Sequence, residues 1–573
     1  MPTVMLSRSL SRSFNHFRTI SLMPPRKKVR LQSSTAASSP PVQPVTLPSS
    51  SNRSHFTDDK FQDLPISSHL KRNIKHEFMT EVQAATIQPA LAGRDLLVQA
   101  KTGTGKTVAF LLPAIETLFR SPNSRNGTAI LVLSPTRELA QQISNEAQTL
   151  LPASQLRIAT VTGGTNNPRK DLERLLGTEH DVVVATPGRL HDYFTGERKA
   201  EVVAKFDGLQ TLILDEVDRL LDGGFAKELD GVVKALPNTK RQNLFFSATV
   251  PNKVKETARQ YNNGSDYLFI STLKENEINT HQHVHQSYII TPFTDHIPTI
   301  LALLRLDSLK HALDHVTTST PTLSPGSRGR TSNSKVMVFF PTARHAEFAA
   351  RVLKSESLKQ SLPSVYEVHS RRSQNKRNQD TEAFRDAPNA IMLCSDVSAR
   401  GLDVPGVTLV IQAGLPSSAE QYVHRLGRTA RAGAEGQGVI ILDHAEQSFL
   451  FSHAMKKATT VTPFSSSPSS HEAKEFDTYK KSYSQHVDNI LGTIATRERD
   501  SAMKAYAAWL GYYKGQSKTT KWSSEQLVAE ANRYAKDSLG WKEASPPPLQ
   551  AKTVGKMGLK GVKGLNIERP PKL

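Results

Sequence analysis

The chain is poor in cysteine, in long hydrophobic runs and in negative charge, and each scarcity excludes a class of protein. Cys394 is the sole cysteine among 573 residues, which excludes an intramolecular disulfide framework and a cysteine-rich zinc module. No apolar stretch approaches the ~20 residues of a transmembrane helix, so we expect no membrane segment. Asp and Glu number 53 against 73 Lys and Arg, a formal net charge of +20. This excess favours nucleic acid as the partner.

Acidic residues are absent before Asp58, while arginine and serine are frequent there. Four hydrophobic residues recur at helical spacing: Leu6, Leu10, Phe14 and Phe17. We therefore interpret residues 1–55 as a transit peptide and disordered linker, and expect the protein in the mitochondrial matrix. The basic run at 25–30 leaves open a nuclear localisation patch, with the nucleus or nucleolus as the location, or a disordered basic tail.

Short apolar runs alternate with longer amphipathic stretches from about residue 56 to 445. The runs form two groups: 96–98, 129–133, 181–184, 212–214 and 244–246, then 336–340, 391–393, 409–411 and 439–442. Such runs indicate parallel strands buried on both faces, with ligand-binding residues at their carboxyl ends. The pattern predicts two α/β domains, 56–275 and 276–445, with a linker near 274–281 and a disordered loop at 317–334.

Helical periodicity returns in the C-terminal part of the chain. Two sets of residues each share a helix face: Val487, Ile490, Leu491 and Ile494, then Ala502, Tyr506, Trp509 and Tyr513. We predict an α-helical extension over 446–540, which either lengthens an RNA path or stabilises the second domain as a cap. Residues 541–573 are rich in proline and basic residues, and we predict a disordered basic tail there.

The segment Ala100–Thr107 has the composition of a phosphate-binding loop and lies between a strand-like and a helix-like stretch. Gly103 and Gly105 let backbone N–H groups approach phosphates because no Cβ intervenes. Lys106 adds a positive charge, and Thr107 offers a hydroxyl to Mg²⁺. The loop begins with alanine where the general pattern has glycine.

The acidic cluster Asp215-Glu-Val-Asp218 follows the apolar run at 212–214. Asp215 is placed to bind Mg²⁺, mainly through water. Glu216 is placed to orient and deprotonate a water that attacks a γ-phosphate. Together with the phosphate loop, this cluster predicts a nucleoside triphosphatase.

The order of motifs over about residues 56–445 resembles that of the DEAD-box RNA helicases. The matching segments are Ala100–Thr107, Pro135-Thr-Arg-Glu-Leu-Ala140, Gly163-Gly164, Thr186-Pro-Gly-Arg189, Asp215–Asp218, Ser247-Ala-Thr249, Phe339-Phe-Pro-Thr342, Ala399-Arg-Gly-Leu-Asp403 and His424-Arg-Leu-Gly-Arg-Thr-Ala-Arg431. The resemblance implies two tandem RecA-like parallel-sheet domains, followed here by the helical extension. It also implies an RNA-dependent ATPase and helicase that uses ATP and Mg²⁺ and acts as a monomer.

The resemblance places ATP in the cleft between the domains. Gln83 would read adenine because its amide both accepts and donates, and Phe61 is the candidate aromatic that packs on the base, with core packing as the alternative. The segment before Gln83 lacks the usual glycine and is shorter than usual. The implied nucleotide-binding set is Phe61, Gln83, Ala100, Lys101, Thr102, Gly103, Thr104, Gly105, Lys106, Thr107, Gly401 and Asp403.

By the same resemblance, Arg428 and Arg431 are arginine fingers that meet the transferred phosphoryl group only when the cleft closes. His424 and the segment 247–249 would link hydrolysis to closure. The implied catalytic residues are Lys106, Asp215, Glu216, His424, Arg428 and Arg431, and the metal-binding residues are Thr107 and Asp215. RNA would be contacted, largely without sequence preference, by Pro135, Thr136, Arg137, Gly163, Gly164, Thr186, Arg189 and Thr342.

The overall layout is similar to the fungal mitochondrial members of the family, which act as RNA chaperones in intron splicing and translation. We expect local unwinding of short duplexes in mitochondrial intron splicing, RNA processing or translation. Val217 stands where the family has alanine, which leaves the coupling of hydrolysis to unwinding open. An ATP-gated RNA clamp with little turnover and a nucleolar ribosome-assembly helicase are the alternatives.

Overall fold

The computed structural model describes residues 56–568 apart from short internal gaps. The described ranges are 56–101, 103–120, 127–151, 155–164, 167–222, 224–237, 240–262, 266–273, 284–318, 333–396, 404–430, 436–464 and 470–568. The predicted targeting segment, the predicted linker at 274–281 and most of the predicted loop at 317–334 therefore lie outside the described residues.

A parallel sheet of seven strands forms the first domain, preceded by an antiparallel pair. The pair is β1 (Phe56–Lys60) and β2 (Phe78–Thr80). The sheet has the order β5-β6-β4-β7-β8-β3-β9. Its strands are β3 (Leu96–Gln99), β4 (Ile130–Leu133), β5 (Ile158–Val161), β6 (Val182–Ala185), β7 (Thr211–Asp215), β8 (Gln242–Ser247) and β9 (Leu268–Ser271). All five apolar runs predicted for this domain are strands, and they occupy the interior of the sheet.

A second parallel seven-stranded sheet follows, in the order β12-β13-β11-β14-β15-β10-β16. Its strands are β10 (Val284–Ile290), β11 (Lys335–Phe340), β12 (Ser364–Val368), β13 (Ala390–Ser395), β14 (Leu409–Ala413), β15 (Gly436–Leu442) and β16 (Thr462–Pro463). The edge strand β16 pairs with β10. The second domain therefore continues to Pro463, beyond the predicted limit of 445, because the chain returns to complete the sheet before the extension begins.

Helices cover both faces of each sheet, as parallel connections require. In the first domain they are α1 (Ser68–Asn73), α2 (Glu81–Leu91), α3 (Lys106–Arg120), α4 (Arg137–Leu150), α5 (Pro168–Gly177), α6 (Pro187–Thr195), α7 (Lys199–Ala204), α8 (Val217–Asp222), α9 (Ala226–Ala235) and α10 (Asn252–Tyr261). In the second they are α11 (His296–Thr318), α12 (Ala343–Leu353), α13 (Glu356–Lys359), α14 (Gln374–Asp386), α15 (Ala419–Leu426) and α16 (His453–Ala458). Short 3-10 helices lie at Phe61–Asp63, Phe293–Asp295 and His444–Phe449.

The C-terminal extension is helical and shares one hydrophobic core with the second domain. Its helices are α17 (Ser470–Arg497), α18 (Arg499–Gly515), α19 (Ser517–Thr520), α20 (Ser524–Ser538) and α21 (Ala551–Lys556). Trp509 is 1% exposed at the centre of this core. The Tyr513 hydroxyl donates a hydrogen bond to Glu446 Oε1 at 2.5 Å, and the Tyr512 hydroxyl donates one to the Leu415 carbonyl at 2.6 Å. The extension is thus an integral layer of the second domain.

The prediction of a disordered tail from residue 541 is wrong for 541–568. Short strands β17 (Leu549–Gln550) and β18 (Ile567–Glu568) pair in parallel there. Four apolar side chains of this segment are buried: Trp541, Leu549, Val554 and Leu559. Composition suggested disorder because basic residues outnumber acidic ones. The spaced apolar residues nevertheless fill the core that the extension shares with the second domain.

Lowering the pH is expected to destabilise the packing between the second domain and the extension. His345 is 7% exposed, and burial lowers its pKa from 6.5 to about 4. A histidine buried in the neutral form favours folding above its unfolded pKa and loses that contribution as the pH falls through 6.5 toward 4. We expect the free energy of unfolding to be flat between pH 7.5 and 6.5 and to fall by up to about 3 kcal/mol by pH 4 from this residue.

Denaturant unfolding monitored by tryptophan fluorescence at stepped pH measures this fall. His345→Gln removes the titration, so the difference between the variant and the parent should shrink as the pH falls. His76→Gln, which replaces an exposed histidine in the first domain, is the matched control. An unchanged pH slope in His345→Gln would contradict the prediction.

Candidate active site

The phosphate loop joins β3 to the N-terminus of α3, so the backbone N–H groups of the first turn of α3 point toward the loop. Gly103 and Gly105 have φ values of 75° and 85°. A Cβ on Gly105 would lie 2.4 Å from Gln83 Nε2, so this position requires glycine. Lys106 Nζ donates to the Ala100 carbonyl at 2.9 Å, and Thr104 Oγ1 donates to the Lys101 carbonyl at 2.8 Å. Thr102 lies outside the described residues.

Gln83 holds this loop against the start of α2. Its Oε1 accepts from the Thr80 N–H at 2.9 Å, and its Nε2 donates to the Gly105 carbonyl at 3.2 Å. The glutamine predicted to read adenine is therefore positioned beside the loop by two hydrogen bonds.

Phe61 lies where the core-packing alternative places it. Its ring is 2% exposed within the hydrophobic core of the first domain. A base cannot stack on a ring that is already covered, so Phe61 has the core-packing role. Leu70, in the segment between Phe61 and Gln83, is buried in the same core.

The acidic cluster begins at the end of β7 and continues into α8. Glu216 adopts the left-handed region with φ 51°, which is uncommon for a residue with a Cβ. Burial, followed by repulsion from Glu216, raises the pKa of Asp215 to about 7, and Lys106 opposes this rise. Glu216 Oε2 is buried and has no hydrogen-bond partner among the described residues. Buried carboxylate oxygens that have so few hydrogen bonds and positive charges around them are suited to binding a divalent cation and a water molecule.

Asp218 connects the two domains. Its Oδ2 accepts from Thr249 Oγ1 at 2.6 Å and lies 3.5 Å from His424 Nε2 of the second domain. Burial opposes ionisation of Asp218, but the adjacent His424, the charge of Arg219 and the hydrogen bond from Thr249 outweigh it and lower its pKa. Val217, between the acids, is buried in the core of the first domain. Valine at position 217 is therefore compatible with these contacts of Asp218.

A narrow cleft lies where the domains meet. Seven residues line it: Glu216, Phe339, Asp396, Gln421, His424, Arg425 and Arg428. Arg428 is buried and donates from Nε to the His424 carbonyl at 3.2 Å. Glu216 of one domain and Arg428 of the other thus line the same cleft. Gly401, Asp403 and Arg431 lie outside the described residues.

The predicted RNA contacts of the first domain follow three adjacent strands, β5, β6 and β4, at their carboxyl ends. Arg137 lies against the loop after β5, where a Cβ on Gly164 would be 1.8 Å from its NH1. Burial, followed by repulsion from Arg189, lowers the pKa of Arg137. The guanidinium groups of Arg137 and Arg189 are close enough together to bind one anion. Thr136 and Thr186 begin α4 and α6, and Pro135 and Gly163 adjoin them. In the second domain, Thr342 Oγ1 accepts from the His345 N–H at the start of α12.

Two residues on α14 that contact the first domain were not singled out in the sequence. Arg377 of the second domain forms an ion pair with Glu138 of the first, and both are buried. Gln374 Nε2 donates to Glu138 Oε1 at 3.1 Å, and Arg137 NH1 donates to Gln374 Oε1 at 3.5 Å. In the sequence, Gln374 and Arg377 are spaced so that they share one helix face. This spacing indicates a contact only when the surface that the helix meets is known.

A third omission is Arg425, within the segment that supplied His424 and Arg428. Its Nε and NH2 donate to Asp396 Oδ1 and Oδ2 at 2.6 and 2.9 Å, a bidentate pair. Gln421 Nε2 donates to the same carboxylate at 2.7 Å. This network holds α15 against the end of β13 and so orients the cleft-lining face of α15.

Two classes of feature are absent from the part of the chain that the structure describes. It contains no group of three or more His, Cys, Asp and Glu side chains suited to holding a metal ion. None of its helices combines the length and the apolar character needed to span a bilayer.

Comparison with known proteins agrees with this geometry. Residues 80–257 match the DEAD/DEAH box helicase family, and residues 323–433 match the helicase conserved C-terminal domain. DEAD-box ATP-dependent RNA helicase 26 of Oryza sativa subsp. japonica is 38% identical, over 89% of this chain and 87% of the relative. The ATP-dependent RNA helicase mss116, mitochondrial, of Aspergillus oryzae is 38% identical, over 86% of this chain and 72% of the relative.

A solved structure is similar over nearly the whole described chain. Mss116p bound to ssRNA and AMP-PNP superimposes with a TM-score of 0.72 at 26% identity, covering 92% of this chain and 99% of that one. The similarity therefore includes the two sheets and extends beyond them into the C-terminal extension. The chain, with its phosphate loop, its acidic cluster and the second domain that completes the cleft, belongs to the DEAD-box ATP-dependent RNA helicases.

Proposed function

We propose that ATP binding closes the two domains onto RNA, and that closure separates short duplexes locally. The observation that carries the proposal is a pair of contacts between the domains. Asp218 meets His424 beside the acidic cluster, and Glu138 meets Arg377 beside the predicted RNA edge. Closure would therefore assemble the nucleotide site and the RNA surface together, so that each ligand favours the other's binding.

The chemistry at the cleft is assigned to residues of both domains. Lys106 stabilises the β- and γ-phosphates, and Glu216 accepts the proton of the attacking water through its unpartnered Oε2. Arg428, with Arg431, stabilises charge on the transferred phosphoryl group. Thr107 and Asp215 are the residues that would hold Mg²⁺. When bound, Mg²⁺ neutralises phosphate charge. His424 transmits closure through Asp218, while Gln83 selects adenine.

RNA would lie along the carboxyl edges of both sheets. Arg137 and Arg189 pair with phosphates, and Thr136, Thr186 and Thr342 mark helix starts, whose N–H groups suit phosphate oxygens. Such contacts do not read bases, so binding should be largely independent of sequence and should weaken steeply with salt.

We assign residues 56–273 to the first domain, 284–463 to the second and 470–568 to the extension, with residues 1–55 as a mitochondrial targeting segment. The name of the Aspergillus oryzae relative supports the location, and the composition of the segment supports it independently. The process we propose is mitochondrial intron splicing, RNA processing or translation. Residues 1–55 fused to a fluorescent protein should enter mitochondria. Accumulation in the nucleolus would favour ribosome assembly instead.

Strand displacement tests the proposed activity. With ATP, the chain should separate a short RNA duplex and leave a duplex three times longer largely intact, because one closure disrupts only the duplex that it grips. A non-hydrolysable ATP analogue should support tight RNA binding with little recycling. Tight ATP-dependent binding combined with background turnover in the parent protein would favour the RNA clamp.

Breaking the contact between α4 and α14 should weaken RNA-dependent closure. In Arg377→Ala, the Glu138 carboxylate would stay buried without its partner, a change that typically costs about 3–5 kcal/mol. We expect the RNA concentration for half-maximal ATP hydrolysis to rise at least about tenfold, since tenfold corresponds to 1.4 kcal/mol. ATP binding without RNA should be unchanged, because neither Arg377 nor Glu138 belongs to the phosphate loop or to the acidic cluster.

The control is Lys376→Ala on the same helix, whose half-exposed ammonium pairs with the buried Asp380 of the same domain. Equal RNA dependence in the two variants would show that the Glu138 contact does not govern closure.

A further inference from the structure

The helix that leads to Arg428 in the cleft is held at its beginning by the C-terminal extension. α15 starts directly after the loop 414–418, which follows β14. Leu415 in this loop is fully buried. Its carbonyl accepts from the Tyr512 hydroxyl at 2.6 Å, and its N–H donates to Glu446 Oε1 at 3.0 Å. Both backbone polar groups of Leu415 therefore help to fix the place where α15 begins.

Glu446 connects a second tyrosine of the extension to the same loop. Its Oε1 accepts from the Tyr513 hydroxyl at 2.5 Å as well as from Leu415, and its Oε2 accepts from the Asp443 N–H at 2.7 Å. Glu446 is fully buried, and a buried carboxylate that accepts from three donors is fixed in position. Two adjacent tyrosines of α18 thus hold the loop, Tyr512 directly and Tyr513 through Glu446.

The partly buried ring of Tyr512 also packs against two hydrophobic cores. One is the core that the extension shares with the second domain. The other contains the buried face of α15, with Ala419, Tyr422 and Leu426. Burial raises the pKa of the Tyr512 hydroxyl, and the nearby charge of Arg425 opposes this rise. Tyr512 is therefore a neutral hydrogen-bond donor that lies against α15.

A displacement at the start of α15 would also move Arg428, because α15 and the residues that follow it are connected by hydrogen bonds. Arg428 lies two residues beyond the end of α15. Its N–H donates to the Arg425 carbonyl and its Nε donates to the His424 carbonyl, both at 3.2 Å. α15 has eight residues, a length of about 12 Å. So short a helix moves as a rigid rod, and a shift at Leu415 changes the position of the Arg428 guanidinium.

Stabilisation of a transferred phosphoryl group depends steeply on where the positive charge lies. A misplacement of about 1 Å can lower a rate by roughly 100-fold. Contacts behind the charged side chain set its position. The Arg425–Asp396 pair supports α15 from the end of β13, and Tyr512 and Tyr513 support its beginning from the extension.

We propose that Tyr512 and Tyr513 are positioning residues for ATP hydrolysis. Through the loop 414–418 they hold α15 so that Arg428 meets the transferred phosphoryl group when the domains close. The extension then contributes to the rate of hydrolysis in addition to stabilising the second domain. This inference rests on the proposed role of Arg428.

Replacing each tyrosine by phenylalanine tests the proposal, because the change removes one hydroxyl and leaves the ring in the core. In Tyr512→Phe and Tyr513→Phe we expect the maximal rate of RNA-stimulated ATP hydrolysis to fall about 5- to 100-fold, up to the loss that a misplacement of about 1 Å causes. The KM for ATP should be unchanged, since Lys106 and the phosphate loop belong to the first domain. The RNA concentration for half-maximal hydrolysis should also be unchanged, which separates positioning of Arg428 from a contact of the extension with RNA.

Tyr506→Phe is the matched control, because it removes the same group from the same helix. Tyr506 is fully buried, and its hydroxyl donates to Asn532 Oδ1 at 2.8 Å within the extension itself. Urea unfolding measures how much each of the three variants destabilises the fold. A lower maximal rate in Tyr512→Phe and Tyr513→Phe, at a stability no lower than that of Tyr506→Phe, would support the proposal. A rate that follows stability across all three variants would overturn it.

A double-mutant comparison decides whether Tyr512 acts through Arg428. In an Arg428→Ala background, Tyr512→Phe should lower the maximal rate much less than in the parent protein, because the group that it misplaces is already gone. Single-turnover measurements give the slow rates of these variants. An equal fold-loss in the two backgrounds would overturn the proposal.

Failure of this inference differs visibly from failure of the proposed function. Parent-like rates in Tyr512→Phe and Tyr513→Phe, together with a large loss in Arg428→Ala, would overturn the positioning role and leave the proposed chemistry of the cleft intact. A parent-like rate in Arg428→Ala would contradict the proposed role of Arg428, and the positioning role would fall with it.

Discussion

Replacing Glu216 by glutamine is expected to lower RNA-stimulated ATP hydrolysis by about 100- to 10,000-fold, the usual contribution of a positioned general base. Glu216 Oε2 is buried and has no hydrogen-bond partner within the described ranges, and Glu216 lines the cleft with Arg428. An amide has nearly the same shape as the carboxylate but cannot accept the proton of the attacking water. Phosphate release measured with and without structured RNA gives the effect.

Binding should survive this substitution, because Lys106 and the phosphate loop remain. ATP-dependent affinity for RNA should therefore equal that of the parent protein or exceed it, since hydrolysis no longer reopens the cleft. Glu197→Gln, an exposed acid in the same domain, is the control and should leave turnover unchanged. Turnover in Glu216→Gln within a factor of about ten of the parent would exclude Glu216 as the base.

Arg428→Ala should lower turnover by at least about 1,000-fold, the effect typical of a lost arginine finger. Arg428 belongs to the second domain and is 4% exposed, yet it lines the same cleft as Glu216 of the first. Arg428 can place its positive charge beside the transferred phosphoryl group only when the two domains are in contact. The loss should appear in the maximal rate, while the affinity for ATP without RNA should change little.

Two comparisons make this result specific. Arg428→Lys keeps the charge but loses the planar fork, so it should recover only part of the rate. Arg385→Ala removes an exposed arginine of the same domain and should have no effect. If Arg428→Ala and Arg385→Ala hydrolyse ATP at the same rate, Arg428 does not stabilise the transferred phosphoryl group.

All the interior strands except β10 could be predicted from sequence, whereas the edge strands could not. All nine apolar runs singled out in the sequence are strands of the two sheets. The strands missed include β5, β9 and β12, which lie at sheet edges. An interior strand is buried on both faces and must be apolar throughout, whereas an edge strand is only partly covered and can carry polar residues. β10 was also missed because Gln286 and Ser287 interrupt its apolar character.

The same contrast holds for the site. Residues that lie together in one segment, such as the phosphate loop or the acidic cluster, could be recognised because their spacing is imposed by one local geometry. Arg377 and Gln374 lie more than 230 positions from Glu138, and no local pattern records such a contact. For Phe61 the sequence left packing on the base and packing in the core open, and the structure places its ring in the core of the first domain.

The amino-acid sequence was sufficient to establish two α/β domains, the nucleotide-binding motifs, the polyanionic partner and the family. Each of these depends on local spacing or on composition, which the chain carries whether or not it is folded. The contacts between domains and the ordered 541–568 segment emerged from folding alone. They depend on which distant residues share a core or an interface, and burial then decides the charge and hydrogen-bonding state of each group.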